Sequence, residues 1–195
     1  MQVSDAAGKA RTFAFRSAFN NGSTFYLVAR NTTLSQPCEH CGNRAASTAY
    51  DERAQLTSRT DWNGKTTTFV RADPAPERFD LVTRRVQAVG SAEERTRTIE
   101  WDPVFRLPKR IADPLRLTTW SYDPDGSQCG ARGALCSRSV QATSDVNGSQ
   151  GFAAAPLGAP RTTTYTYNNR GQVLSVRERE FVEASIAMGS GTGRI

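Results

Sequence analysis

Short segments in which β-branched or aromatic residues alternate with polar residues are the main pattern along this chain. Such segments occupy residues 65–69, 97–101, 117–122 and 161–167, and each ends in an aromatic residue. A period of two, carried by threonine and aromatic side chains, is typical of half-buried β-strands. The pattern therefore predicts that short strands, and not helices, are the main secondary structure.

An aromatic residue followed by Asp or Asn marks an internal repeat. The pairs are Tyr50–Asp51, Phe79–Asp80, Trp101–Asp102, Tyr122–Asp123 and Tyr167–Asn168. Successive pairs are 29, 22, 21 and 45 residues apart, and the last interval spans two periods with a degenerate unit near residues 145–148. A second alternating segment follows three of the pairs, at residues 54–59, 105–111 and 171–176. Each unit is therefore predicted as strand, turn, strand.

The turn residues of these units are interpreted as scaffold, without a catalytic role. Asp or Asn after the aromatic residue is expected to accept hydrogen bonds from backbone amides, and Gly171 supplies a positive φ at little cost. Asn63–Gly64 is a strong signal for a further hairpin turn. Rings at equivalent points of successive hairpins are expected to stack across strands.

Composition and charge agree with thin β-structure. Only 37% of residues are hydrophobic, whereas a helical bundle would be richer in leucine and alanine. The net charge of +6 would suit an acidic partner, but the arginines are spread along the chain, so nucleic acid is not expected as a partner. The sequence has no membrane span and does not begin with the features of a signal peptide.

Four cysteines form two local pairs, Cys38 with Cys41 and Cys129 with Cys136. Local disulfides or free thiols are expected at both pairs, and an even count with close spacing suits disulfides in an exported protein. Zinc binding or thiol redox chemistry at Cys38 and Cys41 is an alternative, although a second Cys-x-x-Cys is missing and the surroundings predict a loop. The single histidine is His40, and the sequence shows no nucleophile turn, such as Gly-x-Ser-x-Gly, with which it could form a catalytic site. The sequence therefore predicts neither an enzyme nor a cofactor.

Three segments are predicted from where the repeat pattern starts and stops. Residues 1–44 form an N-terminal β segment with the Cys-x-x-Cys loop, residues 45–177 hold the repeats, and residues 178–195 form an irregular tail. Proline and glycine interrupt the repeats at about residues 124–160, which are predicted as an insertion. Residues 145–160 within it are predicted as a flexible loop.

The stretch from Tyr50 to Phe69 resembles a complete unit of the YD-repeat family, also called RHS repeats. The stretches 101–122 and 167–174 resemble two more units, so the resemblance covers residues 45–176. It implies an all-β fold of tandem antiparallel β-hairpins that form part of a spiralling shell or barrel-like sheet. Members of this family include bacterial polymorphic toxins, the toxin-complex cocoon and the teneurin barrel. The aspartyl self-cleavage segment that closes such shells is not visible in this sequence.

The resemblance implies a non-catalytic structural segment of a large secreted or surface protein involved in bacterial competition. Its partners would be the remainder of the parent protein and a toxin domain outside this chain. The alternative function is a carbohydrate- or receptor-binding module at the cell surface. In that alternative Trp62, Trp101, Trp120 and the tyrosines stack on glycans or contact a receptor, because aromatic rings combine apolar faces with polar edges.

Overall fold

A computed structural model describes residues 2–4, 10–16, 30–35, 45–71 and 80–179 of the chain. Within these ranges the regular structure consists of antiparallel β-strands and a single 3₁₀ turn, so the predicted all-β fold class is confirmed. The chain divides into two compact units, residues 1–96 and 97–195. In the described part of the chain, no helix has the length and apolar character needed to cross a membrane.

The first unit is an antiparallel meander in which each strand pairs with the next strand in the chain. Its strands are β1 (Gln2–Ser4), β2 (Ala10–Arg16), β3 (Arg30–Ser35), β4 (Ala45–Tyr50), β5 (Leu56–Thr60), β6 (Thr66–Val70) and β7 (Arg84–Gln87). Pairing between sequential neighbours needs only short connections, which is why a tandem hairpin sequence folds in this order.

The second unit has the same antiparallel topology. Its strands are β8 (Arg95–Trp101), β9 (Pro108–Asp113), β10 (Arg116–Tyr122), β11 (Leu135–Thr143), β12 (Pro156–Tyr167) and β13 (Val173–Arg179). The 3₁₀ turn, Gly151–Ala153, lies in the connection between β11 and β12.

Polar side chains stabilise the strand pairs directly. Thr60 lies opposite Thr66, with their hydroxyl oxygens 2.9 Å apart, and Thr166 lies opposite Ser175 at 2.7 Å. Hydrogen bonds between directly opposed Thr and Ser residues each contribute roughly 0.2 to 1 kcal/mol. The abundance of threonine in the strands is therefore explained by cross-strand bonding as well as by β propensity.

The hydrophobic core of the described residues is thin. Two hydrophobic residues, Ala112 and Cys129, are buried, whereas the large apolar side chains are half-buried or exposed. In the second unit a row of opposed residues crosses four strands, and it consists of Ile99, Ile111, Thr118 and Val140. Most of the stability must therefore come from strand pairing and from the turns, because little apolar area is removed from water.

Ion pairs join neighbouring strands of the second unit. Glu100 contacts both Lys109 and Arg110, and Asp113 contacts both Arg97 and Arg116. Burial alone would raise the pKa of either carboxyl, but the hydrogen bonds and positive charge of these partners lower the pKa of Glu100 and of Asp113. Both groups therefore stay charged well into mild acid.

Three hairpins share one turn geometry, at residues 51–55, 61–65 and 168–172. The Oδ1 atom of the first residue accepts hydrogen bonds from the backbone N–H groups of the third and fifth residues, at 2.8 to 3.0 Å. The N–H of the fourth residue donates to the carbonyl of the first, and the N–H of the first donates to the carbonyl of the fifth. One side-chain oxygen therefore closes each hairpin.

The fourth residue of this turn adopts a left-handed conformation in all three hairpins. Its φ is 58° at Ala54, 77° at Gly64 and 74° at Gly171. Glycine reaches this region freely, whereas an L-residue with a Cβ is strained there. The expected role of Gly171 and the hairpin expected at Asn63–Gly64 both match this geometry, although the side chain that closes the second turn belongs to Asp61.

Two boundaries differ from the sequence predictions. Residues 145–160 were predicted as a flexible loop, but β12 begins at Pro156 and pairs there with Thr143 of β11. Pro160 is accommodated because residues 158–160 lie in an irregular bulge of that pairing, and Pro156 is accommodated because it is the first residue of the strand. The repeat pattern was expected to fail from Glu178, yet β13 continues to Arg179. Residues 180–195 of the predicted tail lie outside the described residues.

Exchanging Gly and Ala at equivalent turn positions should have opposite effects on stability. We expect Gly64→Ala to lower the free energy of unfolding by about 1 kcal/mol, since a Cβ there meets nothing within 4 Å and pays only the cost of the positive φ. Ala54→Gly should raise it by about 0.5 kcal/mol, because relief of strain exceeds the added chain entropy. Urea unfolding of both variants measures the difference, and effects of the same sign would refute the shared geometry.

Candidate functional site at the repeat aromatics and their aspartates

Four of the predicted aromatic pairs occupy one structural position, at the end of a strand and the start of a turn. They are Tyr50–Asp51, Trp101–Asp102, Tyr122–Asp123 and Tyr167–Asn168. The strand register shifts by one residue just before each aromatic residue, so the returning strand carries one extra residue. The extra residues are Thr57, Lys109, Cys136 and Leu174. A β-bulge repeated at one position bends and twists each hairpin in the same way.

The fifth predicted pair is described only in part. Phe79 lies outside the described residues, whereas Asp80 lies inside them, and its carbonyl accepts a hydrogen bond from Arg71 Nε at 3.2 Å. The repeat position is therefore established at four of the five pairs.

Asp102 closes a longer version of the turn. Its Oδ1 atom accepts hydrogen bonds from the backbone N–H groups of Val104 and Phe105, at 2.8 and 2.9 Å. Its own N–H donates to the carbonyl of Leu107 at 2.7 Å, and Arg106, just before that closing residue, has a φ of 56°. An aspartate therefore caps this turn as well, although the loop is longer than in the three turns described above.

Asp123 closes a still larger loop with both carboxylate oxygens. Its side chain is fully buried, with 0% exposure. Oδ1 accepts two backbone N–H bonds and Oδ2 accepts three, at 2.6 to 3.2 Å. The five donors are Asp125, Gly126, Gln128, Cys129 and Gly130. A buried carboxylate that accepts this many N–H bonds needs no cation beside it.

These hydrogen bonds set the charge of the Asp123 loop. Burial alone would raise the pKa of Asp123, but the backbone N–H groups, those of Cys129 and Gly126 foremost, lower it below the ordinary value of 3.8. Hydrogen bonds from the side chain and backbone of Ser127 likewise lower the pKa of Asp125. The loop therefore depends on a carboxylate that is ionised at neutral pH.

A disulfide between Cys129 and Cys136 closes the same loop, with the two Cα atoms 5.4 Å apart. Cys136 is the extra residue of its bulge, so the disulfide fixes the bulge to the Asp123 loop. A bridge of such short sequence separation is expected to contribute about 2.5 kcal/mol by restricting the unfolded chain. Cys38 and Cys41, the other predicted pair, lie outside the described residues.

The Asp123 loop also contacts the next repeat. The carbonyl of Cys129 accepts a hydrogen bond from the N–H of Tyr167 at 2.7 Å. Gly130 lies so close to that tyrosine that a Cβ at this position would be 2.0 Å from the carbonyl oxygen of Tyr167. Glycine is therefore required at residue 130 for close approach as well as for its φ of 107°.

The tyrosine hydroxyls link successive repeats. Tyr122 Oη donates to the carbonyl of Pro108 at 2.9 Å, and Tyr167 Oη donates to the carbonyl of Leu135 at 3.0 Å. Pro108 is the residue opposite Trp101, and Leu135 is the residue opposite Tyr122. Each tyrosine thus reaches the residue paired with the preceding aromatic residue. Where we expected ring stacking between repeats, the contact seen at these two tyrosines is a hydroxyl hydrogen bond.

A second aspartate loop lies at the predicted degenerate unit. Asp145 is 2% exposed, and its two oxygens accept N–H bonds from Gly148 and Gln150, both at 2.9 Å. Its carbonyl accepts the N–H of Leu115 at 2.6 Å. Later in the loop, Phe152 stacks against the guanidinium of Arg110, 4.4 Å from the ring centroid. The Asp145 loop therefore covers and fixes the turn between β9 and β10.

The geometry gives little support to metal chemistry in the described part of the chain. Asp123, Cys129 and Cys136 are close enough together to share an ion. Both sulfur atoms form the disulfide, however, and the carboxylate oxygens are taken by backbone N–H groups. This group does not fit a metal ion. The alternative zinc ligands Cys38 and Cys41, with His40, lie outside the described residues.

The three tryptophans lie in three different segments. Trp62 lies in the turn at residues 61–65, Trp101 ends β8 and Trp120 lies in β10, and each side chain is half-buried. A ring that stacks on a sugar needs one free face. None of the three rings is fully exposed.

Sequence reasoning identified the capping residues but missed the bulges and the tyrosine links. The four bulge residues are a threonine, a lysine, a cysteine and a leucine, so no shared residue type could have revealed them. The tyrosine hydroxyl bonds join residues 14 and 32 positions apart, a separation that follows from the fold alone. A recurring interval of aromatic residues was the available signal, and it locates the repeat without showing its contacts.

Comparisons with known proteins support the fold but do not show a family. No protein-family model matches the chain, and no curated protein matches it. A crystal structure of TcdB2–TccC3–Cdc42 contains a similar fold, with a TM-score of 0.52 and 12% sequence identity over 76% of this chain. The matched part is 7% of that much longer chain. At this identity the likeness shows a shared β fold and no more.

Removing the tyrosine hydroxyls should weaken the links between repeats. We expect Tyr122→Phe and Tyr167→Phe each to lower the free energy of unfolding by about 1 kcal/mol, the usual value of one hydrogen bond. Tyr165→Phe is the matched control, since Tyr165 is equally half-buried in β12 and shows no hydroxyl hydrogen bond in the described residues. Thermal or urea unfolding compares the three variants. Equal losses in all three would argue against the links.

Replacing aspartate by asparagine should distinguish the small turns from the Asp123 loop. Asp51→Asn should change the free energy of unfolding by less than about 0.5 kcal/mol, because Asn168 already closes an identical turn with one oxygen. Asp123→Asn should be clearly more destabilising, because its amide N–H₂ would point at backbone N–H donors. Urea midpoints at neutral pH give the comparison, and similar midpoints for the two variants would contradict it.

The Asp123 carboxylate should also make stability depend on pH in acid. Its folded-state pKa lies below the ordinary value of 3.8, so its contribution is complete above that value and is lost as the pH falls through the folded pKa. Glu100 and Asp113 act in the same direction. The difference in stability between wild type and Asp123→Asn isolates the Asp123 contribution, and it should shrink as the pH is lowered below about 4. A difference that does not change with pH would contradict the assignment.

Proposed function

We propose that this chain is a non-catalytic structural segment of a larger secreted or surface RHS/YD-repeat protein. Its hairpins contribute to a β-shell that encloses or displays a toxin domain outside the chain. The observation that carries the proposal is the repeated position of bulge, aromatic residue and capping Asp or Asn, present at four hairpins. The fold likeness to a toxin-complex protein with RHS repeats supports it.

The use of polar groups in the described residues agrees with a scaffold. The buried carboxylates of Asp123 and Asp145 are occupied by backbone N–H groups, and the tyrosine hydroxyls of two repeats are occupied by backbone carbonyls. Catalytic groups need at least one atom directed at a substrate. In the proposal these side chains instead keep the hairpins in register, so that a thin sheet can extend by adding further hairpins.

The disulfide supports the proposed location. A bond between Cys129 and Cys136 persists in oxidising surroundings, such as outside the cell, and is rare in a reducing cytosol. Export would proceed as part of the parent protein. The alternative function, a carbohydrate- or receptor-binding module built on Trp62, Trp101 and Trp120, has weaker support because the three rings are half-buried on separate elements.

The shell proposal is tested on the full-length parent protein. Limited proteolysis of the native protein should leave the region outside the repeats protected, and electron microscopy should show a hollow particle. Deleting residues 97–179 of this chain should open the shell and make the protected region sensitive to protease. As a control, Arg138→Gln on an exposed strand position should leave protection unchanged.

Two outcomes would contradict the shell proposal. One is a particle in which these residues form a separate lobe. The other is unchanged protection after the deletion, which would mean that the segment closes nothing. Either result would favour a displayed binding module.

A further inference from the structure

A polar groove lies on one face of the first unit, where β5, β6 and β7 run side by side. Arg59 lies opposite Thr67, and Thr68 lies opposite Val86, so Arg59, Thr67 and Gln87 project from the same face of adjacent strands. We call this concavity the Arg59 groove. Its lining consists of Arg59, Asp61, Lys65, Thr67, Gln87 and Ala88.

The groove presents hydrogen-bond donors and acceptors that the fold leaves unused. Arg59 is exposed, and within the described residues its guanidinium has neither an ion pair nor a hydrogen bond. Asp61 uses only Oδ1 to close its turn, so Oδ2 remains open. The hydroxyl of Thr67 can both donate and accept, and the amide N–H₂ of Gln87 can donate, while the amide oxygen of Gln87 accepts a hydrogen bond from Arg85 at 3.5 Å.

The charges of the groove are mixed. Lys65 forms an ion pair with Glu93 at the rim, where the two side chains are 44% and 69% exposed, so this pair is readily exchanged with solvent or ligand. Within the lining, Arg59 supplies a positive charge that has no ion pair in the described residues, and Asp61 supplies a negative charge. A ligand that fits must therefore carry an anionic group together with hydroxyl donors.

We infer that the Arg59 groove binds an acidic saccharide, with the carboxylate of a uronic-acid residue on Arg59 and neighbouring sugar hydroxyls on Asp61 and Gln87. The guanidinium fork of Arg59 matches the two oxygens of a carboxylate. A carboxylate such as that of Asp61 accepts hydrogen bonds from sugar hydroxyls. This site is distinct from the three tryptophans, and the inference does not rest on the shell proposal.

Nucleic acid fits the groove less well, although the chain carries a net charge of +6. Asp61 and Glu93 would repel a phosphate backbone, and the groove has no aromatic ring in its lining on which a base could stack. Binding to a polyphosphate chain also needs several cations in a row, whereas here one arginine is unpaired. A sugar with a single carboxylate and several hydroxyls fits better, because the carboxylate can pair with Arg59 and the hydroxyls can donate to Asp61.

The inference is tested by isothermal titration of the full chain with defined oligosaccharides. Hyaluronan hexasaccharide, which contains glucuronic acid, should bind, and the neutral N-acetylglucosamine hexamer should bind about tenfold more weakly, because it lacks the charge-assisted contact. A short single-stranded DNA is the third probe. DNA binding as tight as that of hyaluronan, or equal binding of the two sugars, would overturn the inference.

Three variants locate the site. Arg59→Gln should weaken hyaluronan binding by about tenfold or more, because it removes the charged fork. Asp61→Asn should also weaken binding while leaving the fold intact, since Asn168 closes the same turn with its amide oxygen. Arg84→Gln is the control, because Arg84 is exposed on the opposite face of β7 and carries the same charge change.

The pattern across the variants decides the result. Loss of hyaluronan binding in Arg59→Gln and Asp61→Asn, with wild-type binding in Arg84→Gln, supports the groove. Equal weakening in Arg59→Gln and Arg84→Gln would show a general charge effect and overturn it. Urea unfolding of each variant confirms that a loss of binding is not a loss of fold, and none of these outcomes bears on the shell proposal.

Discussion

The structure depends on satisfying the backbone N–H groups at each hairpin end with the oxygen atoms of a single side chain. Each strand pair closes its own hydrogen bonds, but the turn leaves several donors without a partner, and buried or half-buried donors are costly when unpaired. Asp51, Asp61 and Asn168 resolve this with one oxygen each, and Asp123 and Asp145 with two. Few hydrophobic side chains are buried in the described residues. The free energy gained from a hydrophobic core therefore could not offset the cost of unpaired N–H groups at a hairpin end.

The local part of this arrangement was predictable from sequence because its cause is local. Alternating Thr and aromatic residues specify strands, and Asp or Asn just after such a strand specifies a closed turn, through contacts that span five residues or fewer. Tyr50–Asp51 and Tyr167–Asn168 illustrate this, since the predicted capping residue is the one that accepts the N–H bonds. The same reasoning predicted the all-β fold class.

What escaped prediction depends on the neighbouring strand. A bulge exists only relative to the pairing of two strands, so Thr57 and Lys109 carry no signal in their own identity. The start of β12 at Pro156 was missed because prolines argue against a ladder, yet Pro156 is tolerated as the first residue of the strand, opposite Thr143. The link from Tyr167 to Leu135 likewise requires the position of the preceding hairpin.

The number of side-chain oxygens used by a turn decides what else its aspartate can do. Where the loop is large, as at Asp123 and Asp145, both oxygens are filled by backbone donors and the carboxylate is buried, so it stabilises the loop and can contact nothing else. Where the loop is shorter, as at Asp51, Asp61 and Asp102, one carboxylate oxygen accepts the backbone N–H bonds of the turn. The second oxygen of these aspartates receives no backbone donor from its own turn. The larger loops at Asp123 and Asp145 instead bury the whole carboxylate and bring enough N–H groups to it to occupy both oxygens.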